Sequence, residues 1–265
     1  MLTLNGVSKR YGDATTGMLA VRDLTFQIGG GEIVTIVGPS GCGKTTVLKL
    51  MAGLLAPTAG TIEVDGHPVA GPPEQIALVF QDYANSLYPW MTVADNVAFP
   101  LRRMKLSRAA RRERVAHALE SVGLGASPDR YPWQLSGGMQ QRVAIARGLA
   151  YQPEILLMDE PFGALDAQTR ADLEDLVMKV RDDFDVTIVF VTHDIDESIY
   201  LADRVLVMGA RPTFIEEDVA VTLPKPRDQL ATEQLPEFGE LRAHIYRNIK
   251  ASSQLMAKTG AVPTS

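Results

Sequence analysis

The sequence predicts an α/β fold built on a parallel, doubly wound sheet, and three observations predict it. Apolar runs of strand length alternate with amphipathic stretches of helix length along most of the chain. A glycine-rich loop, "GPSGCGKTT", stands between a strand pattern and a helix pattern. Hydrophobic residues make up 46% of 265 residues, enough for one large α/β domain or a domain carrying an inserted subdomain.

Taken in order, "LTLNGVSKRY" and "LAVRDLTFQI" alternate as strands do. "GGGEIVTIVG" reads as a turn and a buried strand that runs into the glycine loop. "KTTVLKLMAGLL" is the following helix, with Gly53 near its end and Pro57 limiting its continuation. "GTIEVDGHPV" reads as two short strands around an Asp65–Gly66 turn, and "QIALVFQD" as another strand.

From about Met91 the pattern becomes helical, with Val115, Leu119 and Val122 as apolar positions among charges. A helix follows the glycines of "LSGGMQQRVAIARGLA". "ILLMDEP" is a buried strand ending in two acids, "AQTRADLEDLVMKVRDDF" a helix, "VTIVFVTHD" a strand, "IDESIYLADR" a helix and "RVLVMG" a strand. The expected boundaries are one domain over residues 1–223, with a helical insertion at about 91–140, and a short helical tail over 224–265 that frays at its end.

Charge and composition exclude several classes. The formal net charge of −6 argues against a nucleic-acid partner. The basic run Arg102–Arg114 reads as a solvated helix face. The single cysteine, Cys42, allows no internal disulfide and fits a reducing compartment. No apolar run approaches the roughly 18–20 residues of a membrane span. The first residues lack an apolar signal region, so the chain is expected in the cytoplasm, reaching a membrane only through a partner.

Gly38, Gly43, Lys44 and Thr45 fit G-x-x-x-x-G-K-[ST] in the strand–loop–helix context that motif needs. Glycines let the backbone wrap so that its N–H groups point at phosphate, and the helix dipole adds positive potential. Lys44 is expected on the β- and γ-phosphates and the Thr45 hydroxyl on Mg²⁺. Cys42 is expected as a backbone neighbour, although a helix N-terminus could lower its pKa. Asp159 and Glu160 end a buried strand: Asp159 is expected to hold the metal and Glu160 to take the proton of an attacking water. The bland alternative is a pair of solvated acids. His193, after the next strand, is a candidate γ-phosphate contact.

With these motifs in this order, the chain resembles the nucleotide-binding subunit of an ABC transporter. The resemblance covers roughly residues 1–210: the phosphate loop at 38–46, Gln81 in "LVFQD", "LSGGMQQR" at 135–142, "LLMDEP", "GALD" at 163–166 and His193. It implies a P-loop NTPase (RecA-like) core with a parallel sheet, an N-terminal antiparallel β subdomain and an inserted helical subdomain. It implies ATP and Mg²⁺ as cofactors, with nucleotide contacts from Gly38, Pro39, Ser40, Gly41, Cys42, Gly43, Lys44, Thr45 and Thr46. Tyr11 matches the family's adenine-stacking aromatic, and Gln81 the glutamine that reaches Mg²⁺ and water. Asp166 matches a loop that crosses the dimer interface. Ser136, Gly137 and Gly138 match the signature that faces the phosphates held by a second chain. Met139 departs from the usual glutamine there.

The resemblance further implies a head-to-tail homodimer on a transmembrane permease, at the cytoplasmic face of the cell (inner) membrane, with an extracytoplasmic substrate-binding protein. "DYANSLYPWMTVADNVAFPL", "VTHDIDESIYLADRV" and "LPKPRD" are similar to the nitrate/sulfonate/taurine importer branch. The alternatives are an exporter ATPase, or a soluble ABC ATPase of repair or ribosome type. The soluble class would bring long coiled coils or two fused domains, and neither pattern is seen in this sequence.

Overall fold

The computed structural model describes residues 1–13, 17–82, 86–163 and 165–258. Ala164 of the "GALD" segment, part of the "DYANS" stretch and the terminus expected to fray lie outside them. The strands are β1 (Leu2–Tyr11), β2 (Met18–Ile28), β3 (Ile33–Val37), β4 (Ala59–Val64), β5 (His67–Pro68), β6 (Ile76–Val79), β7 (Ile155–Asp159), β8 (Thr187–Val191), β9 (Arg204–Met208) and β10 (Ile215–Ala220). The α-helices are α1 (Lys44–Met51), α2 (Val93–Ala98), α3 (Arg108–Ser121), α4 (Gly137–Ala150), α5 (Ala167–Phe184), α6 (Ile195–Leu201), α7 (Gln229–Glu233) and α8 (Pro236–Lys258). The chain forms two compact units, Met1–Pro73 with Val189–Ser265, and Glu74–Ile188.

In the first unit, four strands form an antiparallel sheet in the order β2-β1-β4-β5. Alternation sets its buried face: Leu2, Leu4 and Val7 of β1 and Val21, Leu24 and Ile28 of β2 are fully buried. The register slips between Leu4 and Val7, where Gly6 takes a φ of 59° and opens a bulge. Asp65 (φ 50°) and Gly66 (φ 76°) form the tight turn expected of Asp-Gly between β4 and β5.

β3 is buried along its whole length and pairs in parallel with β9, Val34 opposite Arg204. A strand buried on both faces reads as a continuous apolar run, and "IVTIV" and "RVLVM" are such runs. β10 adds an antiparallel edge to β9. The Arg227 guanidinium donates to the carbonyls of Ile199 (3.2 Å), Tyr200 (2.5 Å) and Ala202 (2.7 Å), satisfying the end of α6. α8 docks through Phe238 and Ile245, both fully buried. Its polar ties join Arg242 to Asp196, His244 to Glu217 at 2.8 Å, and Ser252 to Glu216. The two ion pairs are half-exposed and add little; the two buried apolar side chains carry the docking.

In the second unit, β6 and β7 pair in parallel, Ile76 opposite Ile155 through Val79 opposite Met158. The helices α2, α3 and α4 pack on one another through Val93, Val97, Leu119, Val143 and Ile145, all at most 2% exposed. Asn96, also fully buried, donates to the carbonyls of Tyr88 (3.1 Å), Met91 (3.2 Å) and Thr92 (3.0 Å) and accepts from Tyr88 N (2.8 Å). One amide thus satisfies the turn that leads into α2, which makes its burial affordable.

Among the described residues no helix is long and apolar enough to cross a membrane.

Candidate functional site

The first unit carries the glycine-rich loop between β3 and α1. Its glycines are required by geometry. A Cβ on Gly43 (φ 122°) would come within 2.8 Å of Thr213 Oγ1, and one on Gly38 within 2.9 Å of Met208 O. The Arg211 guanidinium donates to Gly41 O at 2.6 Å, pinning the loop from the segment that follows β9. Lys44 is 6% exposed, and its ammonium donates to Gly38 O (3.1 Å) and Pro39 O (3.4 Å) across the loop.

Gly43 caps α1 with no side chain, and no acid occupies the first turn. At such a helix start the dipole and Lys44 together favour an anionic ligand. A phosphate group fits this cradle in both charge and hydrogen bonding.

Ser40, Gly41 and Thr45 are exposed on the loop and Pro39 and Cys42 are buried. Burial pushes the Cys42 thiol above its ordinary value, outweighing the lowering by Lys44. The helix N-terminus therefore does not make it a reactive thiolate.

Tyr11, at the end of β1, is 38% exposed; its hydroxyl lies 3.5 Å from Thr46 Oγ1. A tyrosine ring beside the loop can cover a flat base. His193 is exposed after β8. Its neighbours are fixed: Thr192 Oγ1 donates to Glu197, Asp194 N donates to Thr192 Oγ1 at 3.0 Å, and the Asp194 carboxylate caps α6.

The second unit carries the acids. All five residues of β7 are buried, so Asp159 (6% exposed) ends a strand inside the protein. Glu160 follows with a φ of 41°, a left-handed backbone that costs a non-glycine residue about 1–3 kcal/mol and persists where the surroundings impose it. Gln81 Nε2 donates to Glu160 Oε2 at 3.3 Å. The β6–β7 register explains this contact, since Gln81 and Glu160 each lie two residues beyond the last pair, Val79 and Met158.

The signature stretch forms the start of α4. Ser136 caps the helix by accepting from Met139 N at 3.3 Å, and no acid lies in the first turn. The Gln140 amide donates to Pro132 O (3.0 Å) and Leu135 O (3.3 Å), holding the approach to the helix. Ser136 and Gly137 are exposed, whereas Gly138 is buried. A Cβ on Gly138 would come within 2.4 Å of Thr169 Cγ2.

Asp166 caps α5, accepting from Thr169 N (3.0 Å) and Thr169 Oγ1 (2.7 Å). Those bonds, the backbone one foremost, hold its carboxyl below the usual carboxylate range. The starts of α4 and α5 thus meet at Thr169, so Ser136–Gly138 and Asp166, expected on grounds of resemblance alone, share one support. Thr169, Arg211 and Thr213 had no sequence signal: each supports a motif glycine or its carbonyl from elsewhere in the chain.

The chain is similar in sequence and in fold to known proteins. The family described as ABC transporter matches residues 21–163. The nitrate transport protein NasD of Klebsiella oxytoca is 43% identical over 249 residues, covering 92% of this chain and 94% of the relative. The aliphatic sulfonates import ATP-binding protein SsuB of Bacillus licheniformis is 39% identical over 260 residues, covering 98% of each. A dimeric structure of the ATP-binding cassette MJ0796, in a post-hydrolysis state with ADP and Pi, superposes with a TM-score of 0.71 at 33% identity. It covers 83% of this chain and 99% of that one.

Proposed function

We propose, from the premise that this chain belongs to the ABC transporter family, that it is the ATP-hydrolysing subunit of an importer for a small anion of the nitrate/sulfonate/taurine type. The observation that carries the reading is the Gln81–Glu160 contact at the ends of two parallel strands, in a chain whose phosphate loop starts a helix with no side-chain cap and no acid in its first turn. The named nitrate and sulfonate relatives support the solute class.

The chain's residues divide the work. The Gly38–Thr46 loop binds the phosphates, with Lys44 balancing their charge. Glu160 holds the proton taken from water, and Gln81 orients that carboxylate. Thr45, Asp159 and Gln81 offer hydroxyl, carboxylate and amide oxygens, a hard donor set that suits Mg²⁺; the ion would neutralise charge on the phosphates. Tyr11 covers the base and His193 meets the terminal phosphate.

Ser136, Gly137 and Gly138 serve the site of a second copy, with Asp166 at the same interface. Two such chains would close head-to-tail on ATP, attached to a separate membrane permease at the cytoplasmic face of the membrane and served by an extracytoplasmic binding protein. In this reading residues 1–223 form the ATPase domain and 224–265 a helical tail.

The test is uptake. A strain whose only copy carries Lys44→Ala should lose uptake of nitrate or of an alkanesulfonate while unrelated solutes enter normally. Unchanged uptake of both anions overturns the solute assignment. A tagged chain purified from membranes should bring down a multi-span protein; recovery with ribosomes or DNA overturns the transport role.

A further inference from the structure

Residues 209–214 cross from β9 to β10 beside the phosphate loop. Gly209 N donates to Phe214 O at 2.9 Å, which closes the segment on itself. Two further backbone bonds tie it to β2: Thr213 N donates to Ala20 O at 2.9 Å, and Arg22 N to Thr213 O at 2.8 Å. The Arg22 guanidinium lies over the Phe214 ring, 5.1 Å from its centroid. The segment is therefore an anchored strap, and Arg211 extends from it to the loop.

Arg211 grips the loop at one atom. Its guanidinium donates to Gly41 O at 2.6 Å, and Cys42 N, in the same peptide unit, donates to Pro39 O at 3.1 Å. A peptide unit is planar, so the two bonds fix its orientation from opposite edges. Gly41 holds a φ of 72° and Gly43 a φ of 122°. A glycine-rich loop has many conformations open to it, and binding is tighter when the right one is held beforehand.

The atom gripped is the kind that repels phosphate. Carbonyl oxygens carry partial negative charge, so cations placed on them favour an anion nearby. Lys44 covers Gly38 O and Pro39 O, and Arg211 covers Gly41 O. Among the described residues Arg211 forms no ion pair, so no carboxylate balances its charge. That charge is felt inside the loop: burial raises the Cys42 thiol, and Lys44 first and Arg211 after it act the other way.

The strap stands there at a cost to the fold. Arg211 Nε and Thr213 Oγ1 are buried without a hydrogen-bond partner, which lowers stability. The strap also reaches the expected base platform, because Arg211 Nη1 lies 3.7 Å from Met18 Sδ and Met18 pairs with Tyr11 across β1 and β2.

We infer, resting on the nucleotide-binding reading of this loop, that Arg211 is a positioning residue for nucleoside di- and triphosphates. By holding Gly41 it keeps the loop in its phosphate-binding form. The loop meets phosphates that ADP and ATP share, so the effect falls on both nucleotides, and on binding rather than turnover.

The test is titration of the purified full chain with Mg²⁺–ADP, alongside steady-state phosphate release with Mg²⁺–ATP. Arg211→Ala should weaken ADP binding about tenfold, the size of one lost hydrogen bond to a charged group. It should raise KM for ATP by a similar factor while kcat changes less than about twofold. Arg211→Lys keeps the charge and one donor and should regain most of the affinity. Arg211→Met keeps the bulk without either and should bind as weakly as Arg211→Ala. A merely structural role would lower the Tm without this split between KM and kcat.

An ADP affinity of Arg211→Ala within about twofold of wild type, a fall in kcat at unchanged KM, or an Arg211→Lys chain as weak as Arg211→Met at equal Tm would each overturn the inference. A wild-type chain that binds neither nucleotide would overturn the nucleotide reading along with it. Wild-type binding that is indifferent to Arg211 would overturn the positioning role alone.

Discussion

Gln81 faces Glu160 across the ends of two neighbouring parallel strands, its amide nitrogen 3.3 Å from a carboxylate oxygen. The contact fixes the orientation of the side chain assigned as the base, and Glu160 already holds a left-handed backbone. If Gln81 orients that carboxylate, Gln81→Ala should lower kcat by about tenfold to a hundredfold, with nucleotide affinity little changed. Steady-state phosphate release alongside nucleotide titration separates the two. An unaltered kcat would show that the contact has no part in the reaction.

A second expectation concerns the two helix starts. A Gly138→Ala methyl would meet Thr169 Cγ2 at 2.4 Å, so the variant should be destabilised by about 1–3 kcal/mol, the range of an overpacked site. Adding Thr169→Ser removes the methyl and keeps the hydroxyl that donates to Asp166. Denaturant unfolding of the double variant should recover most of the loss. Two purely additive losses would mean that Thr169 is not what excludes a side chain at Gly138.

Asp166 gives a pH dependence with a definite sign. Hydrogen bonds from Thr169 lower its carboxyl pKa in the folded chain. Its charge therefore contributes stability that is complete above the unfolded carboxylate value, about 3.9, and is lost as pH falls through the lower folded value. Asp166→Asn keeps an acceptor for Thr169 N and removes the charge. The variant should melt below the wild type near neutral pH, and the two curves should converge in acid; a gap that widens in acid contradicts the assignment.

Contiguous motifs were the legible part of this protein. The phosphate loop, "LLMDEP" and "LSGGMQQR" each place their residues within a single strand end or helix start, so spacing alone located them. The Asp65–Gly66 turn was readable for the same reason.

What the sequence hid was set by distant pairing. Nothing local says that Gln81 meets Glu160, 79 residues on, since that depends on the β6–β7 register. Arg211 reaches Gly41 across 170 residues, and Thr213 closes the space beside Gly43. β10 was also hidden: "IEEDVA" carries three acids and lies half-exposed at a sheet edge, where neither an apolar run nor a clean alternation is required. At Cys42 burial outweighs the charge beside it and raises the thiol pKa, a balance that the helix start alone does not indicate.

The most direct measurement of the central claim is the mass of the Glu160→Gln chain by light scattering, with and without ATP. The shared-site account predicts a monomer without nucleotide and a stable dimer with ATP, because the variant binds but does not hydrolyse. It further predicts that Glu160→Gln/Ser136→Arg binds ATP and stays monomeric. A Glu160→Gln chain that remains monomeric when saturated with ATP, or a Ser136→Arg variant that loses ATP binding, would contradict the claim that the helix start at Ser136 completes the site of a second copy.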